Sequence, residues 1–460
     1  MSIPKKLEQA YENGYRQFSW VKEINENLDS LRTLFEKGQK KYSGERFYWQ
    51  TPENDFTLVG FGKEAELAYE RASFEQVDEF IIEEKEKIYQ NQSIPGTGSI
   101  LFGGFAFDSK QTKQNDWGAM EQGLFHLPTF LLTETDGKQY LTINFSAENK
   151  EILQSKWQKL TARFVEVINT QVIEKKDIAQ IKAEEIAVSE WMRVVEDTLA
   201  KLREAGPLEK VVLARRMEVR SEHLFHADTI LKNLQRQQTN TYFFVLESHE
   251  QIFIGATPER LLKASTETFS TASIAGSVSR GTTEIEDDEL GNYLLNDMKN
   301  KQEHKIVVDR IIKELEKMTG TSIQAQNPKL LKNRDIQHLH LPIEGRRQKE
   351  YRFLKGIQQL HPTPALGGEP KDLALNWLRE HEKLDRGLYG APIGWIAIKE
   401  DIGEFAVGIR SAVLSGNVGY LYAGCGIVKD SQAEQERIET KIKFQPMLRG
   451  IGGDAHDKSK

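Results

Sequence analysis

In the stretch LGNYLLNDMKNKQEHKIVVDRIIKELEKM, Glu303, Val307, Ile311 and Leu315 recur at four-residue steps, so a long helix here carries a carboxylate on its own apolar stripe. A carboxylate aimed at a core needs a cation, a hydrogen-bond donor or a metal ion; a stripe that drifts leaves Glu303 at the boundary instead. Farther on, in DSQAEQERIETKIKF, the i, i+3, i+7 spacing sets Glu436, Glu439 and Lys443 on one helical face. Alone, such a triplet is a solvated charged face. If it meets Glu303, three carboxylates and a lysine converge as a site for a hard cation carrying an anionic substrate. Magnesium suits such a site, because it accepts few carboxylates and keeps waters and substrate oxygens.

Lys210 opens the β-branched run KVVLARRMEV, in which its ammonium shares a strand face with Val212 and Ala214. An apolar setting would push it towards neutrality and make it a base; a strand-end lysine that snorkels to water is the alternative. Glu259 in GATPERLL follows Thr257-Pro258, which stops one strand and begins a short helix or turn. It is either a proton donor whose pKa burial has raised or a carboxylate complementing a helix N-terminus. Arg410 closes FAVGIR, sharing its face with Ala406, Gly408 and Ala412, where a guanidinium has room to clamp a carboxylate or simply packs the sheet. Gly424 in AGCG is a second place where backbone can approach a ligand closely.

Weaker features surround these. His338 and His340 alternate in IQHLHLPI and read as a hydrogen-bonded core pair rather than a metal site, since no acidic ligand is near. GSILFGGFAFD lacks the G-x-G-x-x-G spacing and reads as a kinked core strand. Nothing local argues that Cys425 is a nucleophile.

The elements that must position these residues are those of a globular chain: 38% hydrophobic, 28% charged, with 34 Gly and 13 Pro among 460 residues. A net charge of −7 without a long basic run excludes the footprint of a nucleic-acid binder. One cysteine excludes an intrachain disulfide and a thiolate zinc site, and no window reaches the roughly 18–20 apolar residues of a membrane span. With no apolar N-terminal stretch, the protein is expected to be cytoplasmic.

Short strands such as RFYWQ and FTLVGFG mark the first ninety residues, and two helices are expected at 147–171 and 189–205. The charged joint EKKDIAQIKAEE between them separates an N-terminal half, 1–185, from a catalytic region, 186–452, with a polar tail at 453–460. Lacking Gly and Ser, that joint suits halves that share one core. From Lys210 onward the runs TYFFVLES and QIFIGATPERLL, then FAVGIRSAVL and VGYLYAGCGIV, are separated by short polar or Gly-containing loops and read as hairpins. The fold class is therefore α+β with largely antiparallel sheets.

Nine segments in this order, KVVLAR, TPERLL, IAGSVSRG, KNKQEHKIVVDRI, QHLHLPIEG, LHPTPALGG, DRGLYGAPIGW, FAVGIRSA and AGCGIVKDSQAEQERIETKIK, resemble the chorismate-binding enzymes. The resemblance spans about Lys210 to Lys443, and the N-terminal half, with RFYW and FGGFAFD, more weakly resembles the isochorismate synthases of menaquinone biosynthesis. It implies two large, mostly antiparallel sheets packed as a sandwich and flanked by helices, with magnesium and chorismate in a deep cleft. By motif, Glu303 and Glu439 correspond to magnesium-binding carboxylates, with Glu436 placed to hold metal-bound water. Arg410, Lys443, Tyr389, Gly424 and the Gly276-Ser277 pair correspond to positions that hold the substrate's carboxylates, and His338 to one near its ring.

Two positions separate the reactions of the family. Anthranilate synthases typically carry glutamine where this chain has Lys210, and aminodeoxychorismate synthases a lysine where it has Ala275. The resemblance thus implies water as the nucleophile: Lys210 activates it, Glu259 protonates the departing hydroxyl, and no amidotransferase subunit is needed. A monomer is expected. Salicylate synthase, siderophore-pathway isochorismate synthase and a silent chorismate-binding protein are the competing readings. Ile442 and Arg437 depart from the usual pattern beside the metal-binding helix face.

Overall fold

The computed structural model describes residues 2–24, 28–111, 116–172, 181–324 and 326–452. Its described strands form one sheet of 13 and one of 9, with neighbours antiparallel except where Gln17–Ile24 meets Ile88–Gln90. The expected α+β sandwich is what the chain builds.

Both sheets are continuous across the two halves of the sequence. In the larger one, Tyr242–Ser248 pairs with Arg46–Gln50, placing Val245 opposite Tyr48; in the smaller, Pro392–Ala397 pairs with Ile100–Phe105, placing Trp395 opposite Phe102. The sheets meet through aromatic side chains, Phe47 of one stacking on Phe102 of the other with ring centroids 4.3 Å apart. Helices Leu31–Tyr42, Ala227–Gln237 and Ala433–Gly452 cover the other face of the larger sheet, burying Leu34, Phe35, Ile230, Leu231, Leu448 and Ile451. Full burial of a Leu, Ile or Phe side chain contributes about 1.5–3 kcal/mol, so these two apolar layers hold the scaffold rigid around whatever lies at its edge.

The run GSILFGGFAFD forms the buried strand Ile100–Phe105. A Cβ on Gly103 would stand 1.9 Å from the Leu124 carbonyl oxygen, so the residue is glycine because two backbones approach closely there. Both hairpins form, turning at His249-Glu250 and at Gly416-Asn417. The expected helices at 147–171 and 189–205 are Lys150–Ile168 and Val188–Arg203. Part of the joint, Ile181–Glu185, is a strand paired with Lys210–Ser221. Residues 173–180 and the polar tail at 453–460 lie outside the described residues.

Three expectations are corrected. FAVGIRSAVL is not one strand but two, Gly403–Val407 in the smaller sheet and Ser411–Ser415 in the larger. Of the short helix or turn expected after Thr257, no helix forms: Pro258-Glu259 links directly into another strand, Arg260–Ala264. The long helix is divided into Glu284–Asn296 and Met298–Thr319, because the Asp297 carboxylate caps the second segment by accepting the Asn300 N–H at 2.8 Å.

Candidate active site

Two neighbouring chain segments change sheets at the same level. Gln251–Thr257 leaves the larger sheet through Pro258-Glu259, and Gly403–Val407 leaves the smaller one through Gly408–Arg410. The crossings bond to each other: Val407 N–H donates to the Glu259 carbonyl at 2.9 Å, and Ala256 N–H to that of Arg410 at 3.1 Å. A Cβ on Gly408 would lie 2.6 Å from the Leu388 carbonyl oxygen, and Arg410 itself is left-handed at φ 50°. Holding a non-glycine residue there costs about 1 kcal/mol, which the surrounding sheet pairing sustains. Arg410 therefore does not share a strand face with Ala406, Gly408 and Ala412, as an unbroken strand would require. It turns with Glu259 into a cleft of about 300 Å³.

Of the twelve residues singled out from the sequence, all but Lys210 line this cleft. The Glu303 helix, Met298–Thr319, supplies one wall; Glu436, Glu439 and Lys443 reach in from Ala433–Gly452. Val307, Ile311 and Leu315 are buried below Glu303, so the apolar stripe does not drift. Gly276 and Ser277 belong to a bulge in Thr268–Ser279, where Gly276 at φ 76° shifts the register against Ile336–Arg346. Ser277 Oγ hydrogen-bonds His338 Nδ1 at 2.9 Å. On the opposite wall, a Cβ on Gly424 would lie 3.1 Å from the Tyr389 hydroxyl, so glycine there is what admits the phenol.

Lys210 sits behind the wall, 1% exposed, its Nζ donating to Glu303 Oε1 at 2.7 Å. Gly426 makes room for the pair: a Cβ would stand 2.5 Å from Lys210 Cε and 3.0 Å from that carboxylate oxygen. The apolar setting expected for this lysine is thus replaced by a salt bridge.

Charge within the cleft is uneven. Burial pushes the Glu259 carboxyl up to about 8, against opposing pulls from Arg410, Lys210 and Lys443. Glu303 is also desolvated, yet the contact with Lys210, reinforced by Lys443 and Lys299, holds it below the usual carboxylate range. Glu436 is raised by burial and by the neighbouring charge of Glu439. His338 is held well below the ordinary histidine range by burial and by Arg410 and Lys443, and so is neutral. Burial lowers Arg410 and raises Tyr389 and Cys425, leaving the thiol inert.

The lysines divide the carboxylates among them. Lys210 holds Glu303, Lys443 holds Glu439 at 2.6 Å and also donates to the Gly424 carbonyl at 2.8 Å, and Lys299 approaches Glu436 at 3.5 Å. Among the described residues no three His, Cys, Asp or Glu side chains are gathered into a ready-made metal site. Glu303, Glu436 and Glu439 are instead drawn each towards its own ammonium.

Sequence reasoning missed Lys299, Asn300 and His304. Asn300 Oδ1 accepts the Ser277 N–H at 3.3 Å and His304 Nδ1 meets the Ala275 carbonyl at 3.2 Å, so the Glu303 helix grips the bulge on both sides of Gly276. The signal was present: Asp297 with Asn300 three residues later has the spacing of a helix cap, which marks where the longer helical pattern breaks.

The family profile described as chorismate binding enzyme matches residues 5–452. The isochorismate synthase MenF of Bacillus subtilis is 36% identical over 438 residues, 93% of this chain and 92% of that protein. The salicylate biosynthesis isochorismate synthase of Pseudomonas aeruginosa is 31% identical over 413 residues, covering 88% and 85%. Among solved structures, MenF, the menaquinone-specific isochorismate synthase from Escherichia coli, superposes with a TM-score of 0.78 at 25% identity over 97% of this chain and 99% of that one. With a profile match over nearly its whole length and relatives that align over most of theirs, the chain belongs to the chorismate-binding enzyme family.

Proposed function

We propose that the protein is an isochorismate synthase of the menaquinone-specific type, which isomerises chorismate to isochorismate by adding water next to the carboxylate-bearing ring carbon and expelling the ring hydroxyl across from it. The observation that carries this reading is the pairing of opposites in one cleft: a buried glutamic acid that keeps its proton near neutral pH, Glu259, and a buried lysine, Lys210, behind the facing wall. An acid and a base together are what an exchange of water for hydroxide needs, and a mere binder needs neither. Similarity to isochorismate synthases over most of both chains supports the same assignment.

In the proposed reaction Glu259 gives its proton to the leaving hydroxyl and Lys210 takes one from the attacking water. In the resting protein the Lys210 ammonium is engaged by Glu303 at 2.7 Å, so Lys210 is free to meet the attacking water when Glu303 turns to another partner. Arg410 and Lys443 meet the substrate's carboxylates, the Gly276-Ser277 bulge and Gly424 offer backbone at close approach, Tyr389 closes one side, and neutral His338 lies beside the ring. Ala275, at the position where aminodeoxychorismate synthases carry lysine, presents no nucleophile, and Lys210 is not the glutamine of the ammonia-using enzymes.

The donor set fits a hard divalent cation. Glu303, Glu436 and Glu439 face one cleft, and Lys299, the cation nearest Glu436, stands off at 3.5 Å. We assign Glu303 and Glu439 as magnesium ligands and Glu436 as the holder of metal-bound water. When bound, magnesium would neutralise and orient the ring carboxylate. Because water is the nucleophile, the protein works without an amidotransferase subunit, as a cytoplasmic monomer. Residues 1–185 serve as scaffold for the catalytic region 186–452.

The test is chromatography of the products after incubating purified protein with chorismate, with and without magnesium. Magnesium-dependent isochorismate without salicylate or pyruvate is expected. Stoichiometric salicylate and pyruvate would move the protein to the salicylate synthases, and tight chorismate binding without turnover would make it a binding protein.

A further inference from the structure

Three lysines neutralise the cleft glutamates, and they differ in how firmly they are held. Lys210 is 1% exposed and 2.7 Å from Glu303; Lys443 is 12% exposed and fixed on two sides, by Glu439 and by the Gly424 carbonyl. Moving Lys210 would strand its own buried charge, and moving Lys443 would break two short contacts at once. Lys299 is the exception, with 41% of its side chain in solvent and only a long 3.5 Å contact to Glu436.

Its position is central. Lys299 lies one helical turn before Glu303 on the same helix, and it reaches across to the helix that carries Glu436 and Glu439. It lines the cleft together with all three carboxylates and makes its direct contact with Glu436. The side chain thus stands at the cleft mouth, on the carboxylates assigned to the metal, tethered loosely enough to swing into water at small cost.

We infer that Lys299 is a displaceable counter-cation of the three-carboxylate cluster: it occupies Glu436 in the resting protein, is expelled when a divalent ion enters, and so sets how tightly that ion binds. The inference rests on the metal reading of Glu303, Glu436 and Glu439. Its consequence runs against the usual effect of altering a binding site, because removing this side chain tightens a ligand. A competing unit charge at this range, in an environment between protein and water, is worth about one factor of ten in affinity.

The test is calorimetric titration of the full chain with magnesium chloride, without chorismate. Lys299→Met is expected to bind Mg²⁺ about five- to tenfold more tightly than wild type, and Lys299→Arg to bind it no more tightly than wild type. Unchanged or weaker binding in Lys299→Met, with the variant shown folded by its melting curve, overturns the inference; Lys299→Gln repeats the measurement should the methionine variant fold poorly. Glu303→Gln and Glu439→Gln separate the two layers of the argument. If they leave Mg²⁺ binding intact the metal reading itself has failed, whereas if they abolish it and Lys299→Met changes nothing, only the role of Lys299 is lost.

Discussion

Glu259 and Glu303 are the same residue type in the same cleft, both desolvated, and their carboxyl groups are driven in opposite directions. Glu259 turns in from a strand crossing where, among the described residues, no cation lies within ion-pairing distance of its carboxyl, and burial raises it to about 8. Glu303 is also desolvated, but it rides a helix that brings it to 2.7 Å from Lys210, and that contact, with Lys443 and Lys299 behind it, outweighs the burial. The difference teaches that the backbone decides protonation here: a corner between two sheets isolates one carboxyl, and a helix face delivers the other to a partner.

The comparison breaks most visibly in turnover. Removing the proton donor with Glu259→Gln, or the amine with Lys210→Ala, is expected to lower kcat about a thousandfold in steady-state assays with chorismate. Full activity in either variant would dissolve the assignment of acid and base.

Stability separates the two glutamates next. Glu303→Gln leaves Lys210 buried without its counter-charge and should destabilise the fold by about 3 kcal/mol in denaturant titrations. The double variant Lys210→Met, Glu303→Gln should recover most of that loss, and failure to recover would mean that the pair is not coupled.

Glu259 has the reverse sign. Its folded pKa is raised, so the stability it contributes is fully present below the unfolded value of 4.5 and is lost as pH rises through about 8. Glu259→Gln should therefore be more stable than wild type at pH 8–9, by about 4–5 kcal/mol, and the gain should vanish at pH 4–5. The same group should give wild-type kcat/KM an alkaline limb centred near pH 8, falling about tenfold per unit above it.

The smallest effect sharpens the geometry of the bulge. Ser277→Ala removes the hydroxyl that meets His338 and leaves the backbone of Gly276 in place, so KM for chorismate should rise several-fold with kcat nearly unchanged.

Much of this was legible in the sequence, and the illegible part has a physical reason. The hairpins followed from β-branched runs split by short polar loops, and the stripe below Glu303 followed from its four-residue steps. The sheet crossings did not follow, because a strand that leaves one sheet and enters another keeps the same apolar pattern throughout. Only Pro258 and Gly408 hinted at a break, and Arg410 was accordingly placed on a strand it does not join. The break at Asp297 was signalled only by the cap spacing of Asp297 and Asn300, which the apolar stripe on either side overshadowed. Pairings such as Lys210 with Glu303, 93 residues apart, or Lys299 with Glu436, 137 apart, lie beyond any local pattern. The apolar setting expected of Lys210 gave way to an ion pair for that reason: its partner comes from a distant helix.

The most direct test of the opposed protonation states is isotope-edited infrared difference spectroscopy of the full chain, comparing wild type with Glu259→Gln between pH 6 and 10. The account predicts a protonated carboxylic acid band at pH 7 that is absent from Glu259→Gln, survives Glu303→Gln, and disappears as pH rises through about 8. A wild-type spectrum showing only ionised carboxylate for Glu259 at pH 7 would contradict it.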